Sequence, residues 1–169
     1  MVLRFLRLAA SLAVVPAVLA GCQQDSPSPV AVQTVRLALI AGAEHGGTPF
    51  STPLSQEVTT TPLWAGDPDG TGTVLLTVNH GQREICWDAS VSDIALPATA
   101  SHIHKAPPGV RGGIVVFLSP PNETGRAVGC ASNLDRDLLR DILTNPASYY
   151  VNVHTADFPA GAVRGQLGS

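Results

Sequence analysis

The chain carries three histidines at spacings that suit a metal site. Ser101-His102-Ile103-His104 sets two imidazoles two residues apart, and side chains two apart on a strand share a face. By the same rule Tyr150, Asn152 and His154 share a face within Tyr149-Tyr150-Val151-Asn152-Val153-His154-Thr155. A turn at Pro159-Ala160-Gly161 leads into Ala162-Val163-Arg164-Gly165-Gln166-Leu167, where Arg164 and Gln166 alternate with Val163 and Leu167. Ile103, Val151, Val153, Val163 and Leu167 suit a core. If the three strands are neighbours, His102, His104, His154, Asn152, Arg164 and Gln166 form one polar patch on the outer sheet face.

Three kinds of chemistry fit such a patch. A His-x-His strand with a third histidine nearby is a ligand set for copper or zinc. The same side chains also serve as cross-strand hydrogen-bonding groups that hold hairpins in register. A recognition surface for a protein or glycan is the third reading, and Arg164 suits an anion or carboxylate better than a bare cation. Nucleophilic catalysis lacks its parts: no Gly-x-Ser-x-Gly elbow occurs, and Gly42, Gly46 and Gly47 lack the strand–loop–helix setting of a phosphate loop. Asp67 with Asp69, and Asp135 with Asp137, fall where a turn and a helix start account for them. No catalytic residue is assigned.

The amino terminus reads as an address. Arg4 and Arg7 precede an apolar run from Leu8 to Ala20 that ends in Leu19-Ala20-Gly21-Cys22, the pattern of a secretory signal. The run is shorter than the roughly 20 residues a membrane-spanning helix needs. Its Leu-Ala-Gly-Cys ending resembles the lipobox of bacterial lipoproteins, which implies cleavage after residue 21, acylation of Cys22 and attachment to the cell membrane or outer membrane through the lipid. Residues 22–34, with Pro27 and Pro29, read as a flexible tether. Residues 35–169 are expected to form one domain. Loss of Arg4 and Arg7 leaves eight of the ten basic residues against thirteen acidic ones. No basic run or aromatic–basic interleaving remains to neutralise phosphates, so nucleic acid is disfavoured as a partner.

Export also bears on the remaining cysteines. An oxidising compartment favours a Cys86–Cys130 disulfide, closing a loop of roughly 45 residues that on the loop-entropy model stabilises by roughly 4 kcal/mol. Buried free thiols are the alternative.

Strand signals recur along the rest. Val35–Ala41 reads as a first strand and Gly42–Pro53 as loop containing His45. Asp67-Pro68-Asp69-Gly70 is a turn, and two acids alone fall short of a calcium site. Gly72–Asn79 alternates Val74, Leu76 and Val78 against Thr73, Leu75 and Thr77. A hairpin at Asn79-His80-Gly81-Gln82 joins it to a strand over Arg83–Ala89. Ala98–His104 runs into Pro107-Pro108-Gly109, and the apolar Ile114-Val115-Val116-Phe117-Leu118 suits a strand buried on both faces. The single helix is capped by Ser132 or Asn133, carries Leu134, Leu138, Leu139 and Ile142 as its apolar stripe, and stops at Asn145-Pro146. These elements predict a mainly β fold: an antiparallel β-sandwich, Greek-key or barrel-like, with one short helix.

His102-Ile103-His104, Gly112-Gly113-Ile114-Val115-Val116, Tyr150-Val151-Asn152-Val153-His154-Thr155 and Phe158-Pro159-Ala160-Gly161-Ala162-Val163-Arg164-Gly165-Gln166-Leu167, with the earlier Gln56-Glu57-Val58 and Asp67-Pro68-Asp69-Gly70-Thr71-Gly72, together resemble the chordin-type (CHRD) domain over roughly Leu54 to Gly168. Lys105 and Ala162 depart from the commoner family pattern. The resemblance implies an exported, extracytoplasmic β-sandwich with no assigned catalysis. The expected role is a lipid-anchored binding module for an extracytoplasmic ligand or protein partner. A copper- or zinc-binding protein using His102, His104 and His154 is the alternative.

Overall fold

A computed structural model describes residues 46–60 and 63–168. The signal at 1–21, Cys22, the tether, the strand expected over Val35–Ala41 and His45 lie outside the described residues. Among the described residues ten strands, one α-helix and a short 3-10 turn follow in order: β1 (Thr48–Gln56), β2 (Val58–Thr60), β3 (Leu63–Ala65), β4 (Thr71–Asn79), β5 (Glu84–Ser92), β6 (Ala100–Lys105), β7 (Gly113–Leu118), β8 (Arg126–Ala131), α1 (Arg136–Thr144), the 3-10 turn (Pro146–Ser148), β9 (Tyr149–His154) and β10 (Val163–Gln166). Eight strands form one antiparallel sheet in the order β7-β6-β9-β10-β1-β4-β5-β8, and β2 and β3 make a separate hairpin. The sheet curls until its end strands β7 and β8 approach each other, so the shape is a nearly closed barrel.

Alternation decides which side faces inward. Val74, Leu76 and Val78 of β4 meet Ile85, Trp87 and Ala89 of β5 and Ile103, Val151, Val153 and Val163 of the later strands in one core. Leu139 and Ile142 bring α1 onto it. At roughly 25 cal/mol for each square ångström of apolar surface removed from water, this burial is the dominant favourable term in folding.

Three expectations are corrected. Residues 48–53, part of the stretch expected to be loop, belong to β1. Its two prolines are tolerated because β4 pairs along Thr48–Leu54 while β10 reaches only Ser55 and Gln56, leaving a free edge where a missing donor breaks no ladder bond. The β7 strand is not buried on both faces: it ends the sheet, Val116 and Leu118 face the core, and Ile114 and Phe117 are exposed. The cap of α1 is Asp135, whose side chain accepts from the amides of Asp137 and Leu138. Ser132 instead donates to Glu84, and Asn133 takes a positive φ of 60°.

The hairpin at residues 79–82 and the Asp67 turn form as expected, with the Asp69 amide donating to Asp67 Oδ1 at 3.3 Å. Lys105 pairs with Asp141 of α1 at 2.5 Å and lies over the Tyr149 ring, linking β6 to the helix.

Cys86 and Cys130 are directly opposite in the β5–β8 ladder and are disulfide-bonded, 44 residues apart. Replacing both with serine is expected to lower the unfolding free energy by about 4 kcal/mol, read from denaturant titration. An unchanged midpoint would show that the β5–β8 ladder holds without the bond.

Candidate metal centre

The site is built by register. β6 pairs with β9 so that His102 faces Asn152, His104 faces Tyr150 and Ala100 faces His154, and β10 sets Arg164 beside Asn152 and Gln166 beside Tyr150. All these polar residues lie on the sheet face opposite Ile103, Val151, Val153 and Val163. The expected adjacency of the two histidine strands is therefore present.

The face itself differs from a bare outer surface. The segment from Ala106 to Gly112 folds back over it, held by the very residues expected to bind a ligand. Arg164 donates to the Val110 and Pro107 carbonyls at 2.8 and 2.9 Å, and Gln166 donates to those of Ala106 and Ala147, both at 2.8 Å. The Arg164 guanidinium sits 3.3 Å from the Tyr150 ring centroid, and Tyr150 stacks on His104 with centroids 4.8 Å apart. The Gly112 amide donates to the Tyr150 hydroxyl. Arg164 is thus occupied by loop carbonyls and by the Tyr150 ring. His104 is only 7% exposed and Asn152 1%.

One ring nitrogen from each of His102, His104 and His154 lies within 4.8 Å of the other two. His104 Nδ1 is 2.9 Å from the Gly112 carbonyl, and His154 Nδ1 is 3.1 Å from the Pro159 carbonyl. A carbonyl only accepts, so both Nδ1 atoms carry the proton and both Nε2 atoms present a lone pair. That is the arrangement that orients a metal-binding imidazole from behind. His104 Nε2 is buried and makes no well-formed hydrogen bond, the Asn152 side chain being its polar neighbour. His154 Nε2 lies 3.2 Å from His102 Nδ1 and 3.1 Å from Asn152 Oδ1.

Electrostatics keep the cluster neutral. Burial, with the neighbouring His154 and His104, pushes the His102 pKa down from 6.5 to about 4. Burial also lowers His104, against the opposing pull of the Gly112 carbonyl and the Asn152 side chain, and lowers His154 against that of the Pro159 carbonyl. Neutral imidazoles with free lone pairs are the form that takes up a transition-metal ion.

Sequence reasoning missed Glu57. It is wholly buried, and its Oε2 accepts from Asn152 Nδ2 at 3.0 Å. Its backbone is fixed by Ala162 and Gly66, at 3.0 and 2.6 Å. Gly161, at φ 131°, packs so closely that any Cβ there would overlap the carboxylate. Burial raises the Glu57 pKa against the pull of Asn152, Arg164 and Arg111. No local signal marks a lone acid as buried, because its partner is 95 residues away. Phe117 was also missed as a neighbour of the site. It is 71% exposed and stands edge-on to His102, with ring centroids 5.2 Å apart.

A family model described as CHRD domain matches residues 50–167. No curated protein and no solved structure matches the chain.

The depressed histidine pKa values have a sign. The unfolded chain binds more protons than the folded one between the ordinary 6.5 and about 4, so stability falls as pH drops through that window and the His102 contribution is constant below it. His102→Gln is expected to flatten this part of the curve, read as denaturant midpoints across pH. Equal slopes in both proteins would place the acid sensitivity elsewhere.

Proposed function

This chain belongs to the CHRD-domain family, and from that premise we propose that it is an exported, lipid-anchored protein that binds a copper or zinc ion through His102, His104 and His154. One observation carries the reading: three neutral imidazoles converge while one of them, His104, buries an Nε2 lone pair that makes no well-formed hydrogen bond. A buried polar atom without a hydrogen bond costs on the order of 1–3 kcal/mol, and a cation at the convergence point relieves it. Imidazole donors suit copper and zinc, whereas calcium and magnesium prefer oxygen. The lone pairs are available at neutral pH because burial keeps the rings uncharged.

A second reading, a docking site for an extracytoplasmic protein or small ligand, rests on Phe117. An exposed aromatic ring against His102 gives such a ligand an apolar contact beside a polar one. Aromatic side chains dominate the contact energy at recognition surfaces. This reading needs no metal.

Export and anchoring rest on Arg4, Arg7, the apolar run and Cys22, with support from the Cys86–Cys130 disulfide, which belongs to an oxidising compartment. Mass spectrometry of the chain from a membrane fraction is expected to find Cys22 as an acylated first residue. An unmodified amino terminus at any other residue removes the lipid anchor.

Zinc added to the metal-free full chain is expected to saturate near one equivalent and to move the ring signals of His102, His104 and His154 together in NMR. His104→Ala is expected to weaken binding by more than the roughly 10–100-fold that loss of an outer-shell partner costs. Histidine signals that do not respond to copper or zinc would leave the docking reading.

A further inference from the structure

We propose that Asn152 Oδ1 is the fourth donor of the metal site and that Glu57 is the positioning residue that aims it. The proposal rests on the three-histidine reading and goes on to complete its coordination. Four donors held tetrahedrally at about 2.0–2.1 Å from zinc lie about 3.3 Å from one another. The contacts His102 Nδ1 to His154 Nε2 at 3.2 Å and His154 Nε2 to Asn152 Oδ1 at 3.1 Å match two edges of that figure. His104 Nε2 is buried without a well-formed hydrogen bond, and one nitrogen of that ring lies within 4.8 Å of one from each of His102 and His154.

The orientation of the Asn152 amide is the decisive point. Its Nδ2 donates to Glu57 Oε2, so its oxygen is turned to the imidazoles. His154 Nε2 already presents a lone pair, because its Nδ1 proton goes to the Pro159 carbonyl. That lone pair accepts from His102 Nδ1 at 3.2 Å, so no proton stands between His154 Nε2 and the Asn152 oxygen 3.1 Å away, and those two acceptors repel one another. A cation bound to both converts that repulsion into attraction, and its binding moves the His102 proton to that ring's other nitrogen. Glu57 holds the amide this way because it has little room to move: its backbone is tied to Ala162 and Gly66, and Gly161 presses on its carboxylate.

The donor set is therefore three nitrogens and one oxygen, all supplied by the protein. Zinc sites with four protein ligands are structural, whereas catalytic ones keep a position for water. A site of this kind holds its ion and ties β6 to β9, rather than activating a substrate.

Zinc binding to the full chain, followed by NMR of the Asn152 side chain, tests the proposal. The expected result is a shift of the Asn152 carbonyl carbon at the same zinc equivalence as the three histidines. Asn152→Leu is expected to weaken zinc binding by more than the roughly 10–100-fold that loss of an outer-shell partner costs, with the histidine signals still moving together. Glu57→Gln offers Asn152 either a carbonyl or an amino group. It is expected to split the Asn152 amide between two orientations and to weaken zinc binding while the metal-free unfolding midpoint stays in place. Asn152 amide protons found against His154 in the zinc-loaded protein would overturn the proposal, and that measurement needs no variant. Undiminished zinc affinity in Asn152→Leu would overturn it too, leaving a three-histidine site. A wild-type chain that takes up no zinc or copper would overturn the metal reading itself.

Discussion

The register of β6 against β9 and β10 is the constraint on which the structure rests. With His102 opposite Asn152, and Asn152 opposite Arg164, the three histidines, Asn152, Arg164 and Gln166 fall on one face and Ile103, Val151, Val153 and Val163 on the other. A slip of one residue would reverse both sets, driving imidazoles into the core and valines out of it. The apolar face therefore enforces the polar one. Val151, Val153 and Val163 are fully or almost fully buried, and that burial is what makes the histidine arrangement stiff rather than adjustable.

A buried polar layer has to satisfy its own groups, and this one does so mainly with backbone carbonyls. Arg164 and Gln166 close the segment from Ala106 to Gly112 over the sheet. That segment then offers the Gly112 carbonyl to His104 and the Gly112 amide to Tyr150. On the other side, the turn after β9 offers the Pro159 carbonyl to His154, and the turn and the β2–β3 hairpin together enclose Glu57. Each cover is a donor or acceptor to the site as well as a lid on it. The outcome is a set of rings whose tautomers are decided from behind. That preorganisation is what a metal site needs and a loosely held patch lacks.

Two other ties keep the scaffold from yielding. The Cys86–Cys130 bond fastens β5 to the end strand β8, and Lys105 with Asp141 fastens the end of β6 to α1. Neither touches the imidazoles. Phe117, by contrast, stands open to solvent beside His102 because β7 ends the sheet, with no further strand to cover it. The CHRD match over residues 50–167 takes in nearly all of this barrel.

Much of this was legible in the chain before folding. Period-two alternation identified the strands and their inward faces, because a strand's two sides need no knowledge of its neighbours. The His-x-His pair, His154 and Asn152 could be placed on common faces for the same reason, and the cysteine count pointed to the disulfide. Properties that depend on partners far along the chain were not legible. Alternation could not tell that β7 lies at the sheet's end, nor that the Thr48–Pro53 stretch has a free edge able to carry its prolines. It could not tell that Arg164 turns to loop carbonyls, or that Glu57 lies buried against Asn152. A local pattern specifies which way a side chain points from its own strand, while what that side chain meets depends on which strands and loops the tertiary fold brings beside it.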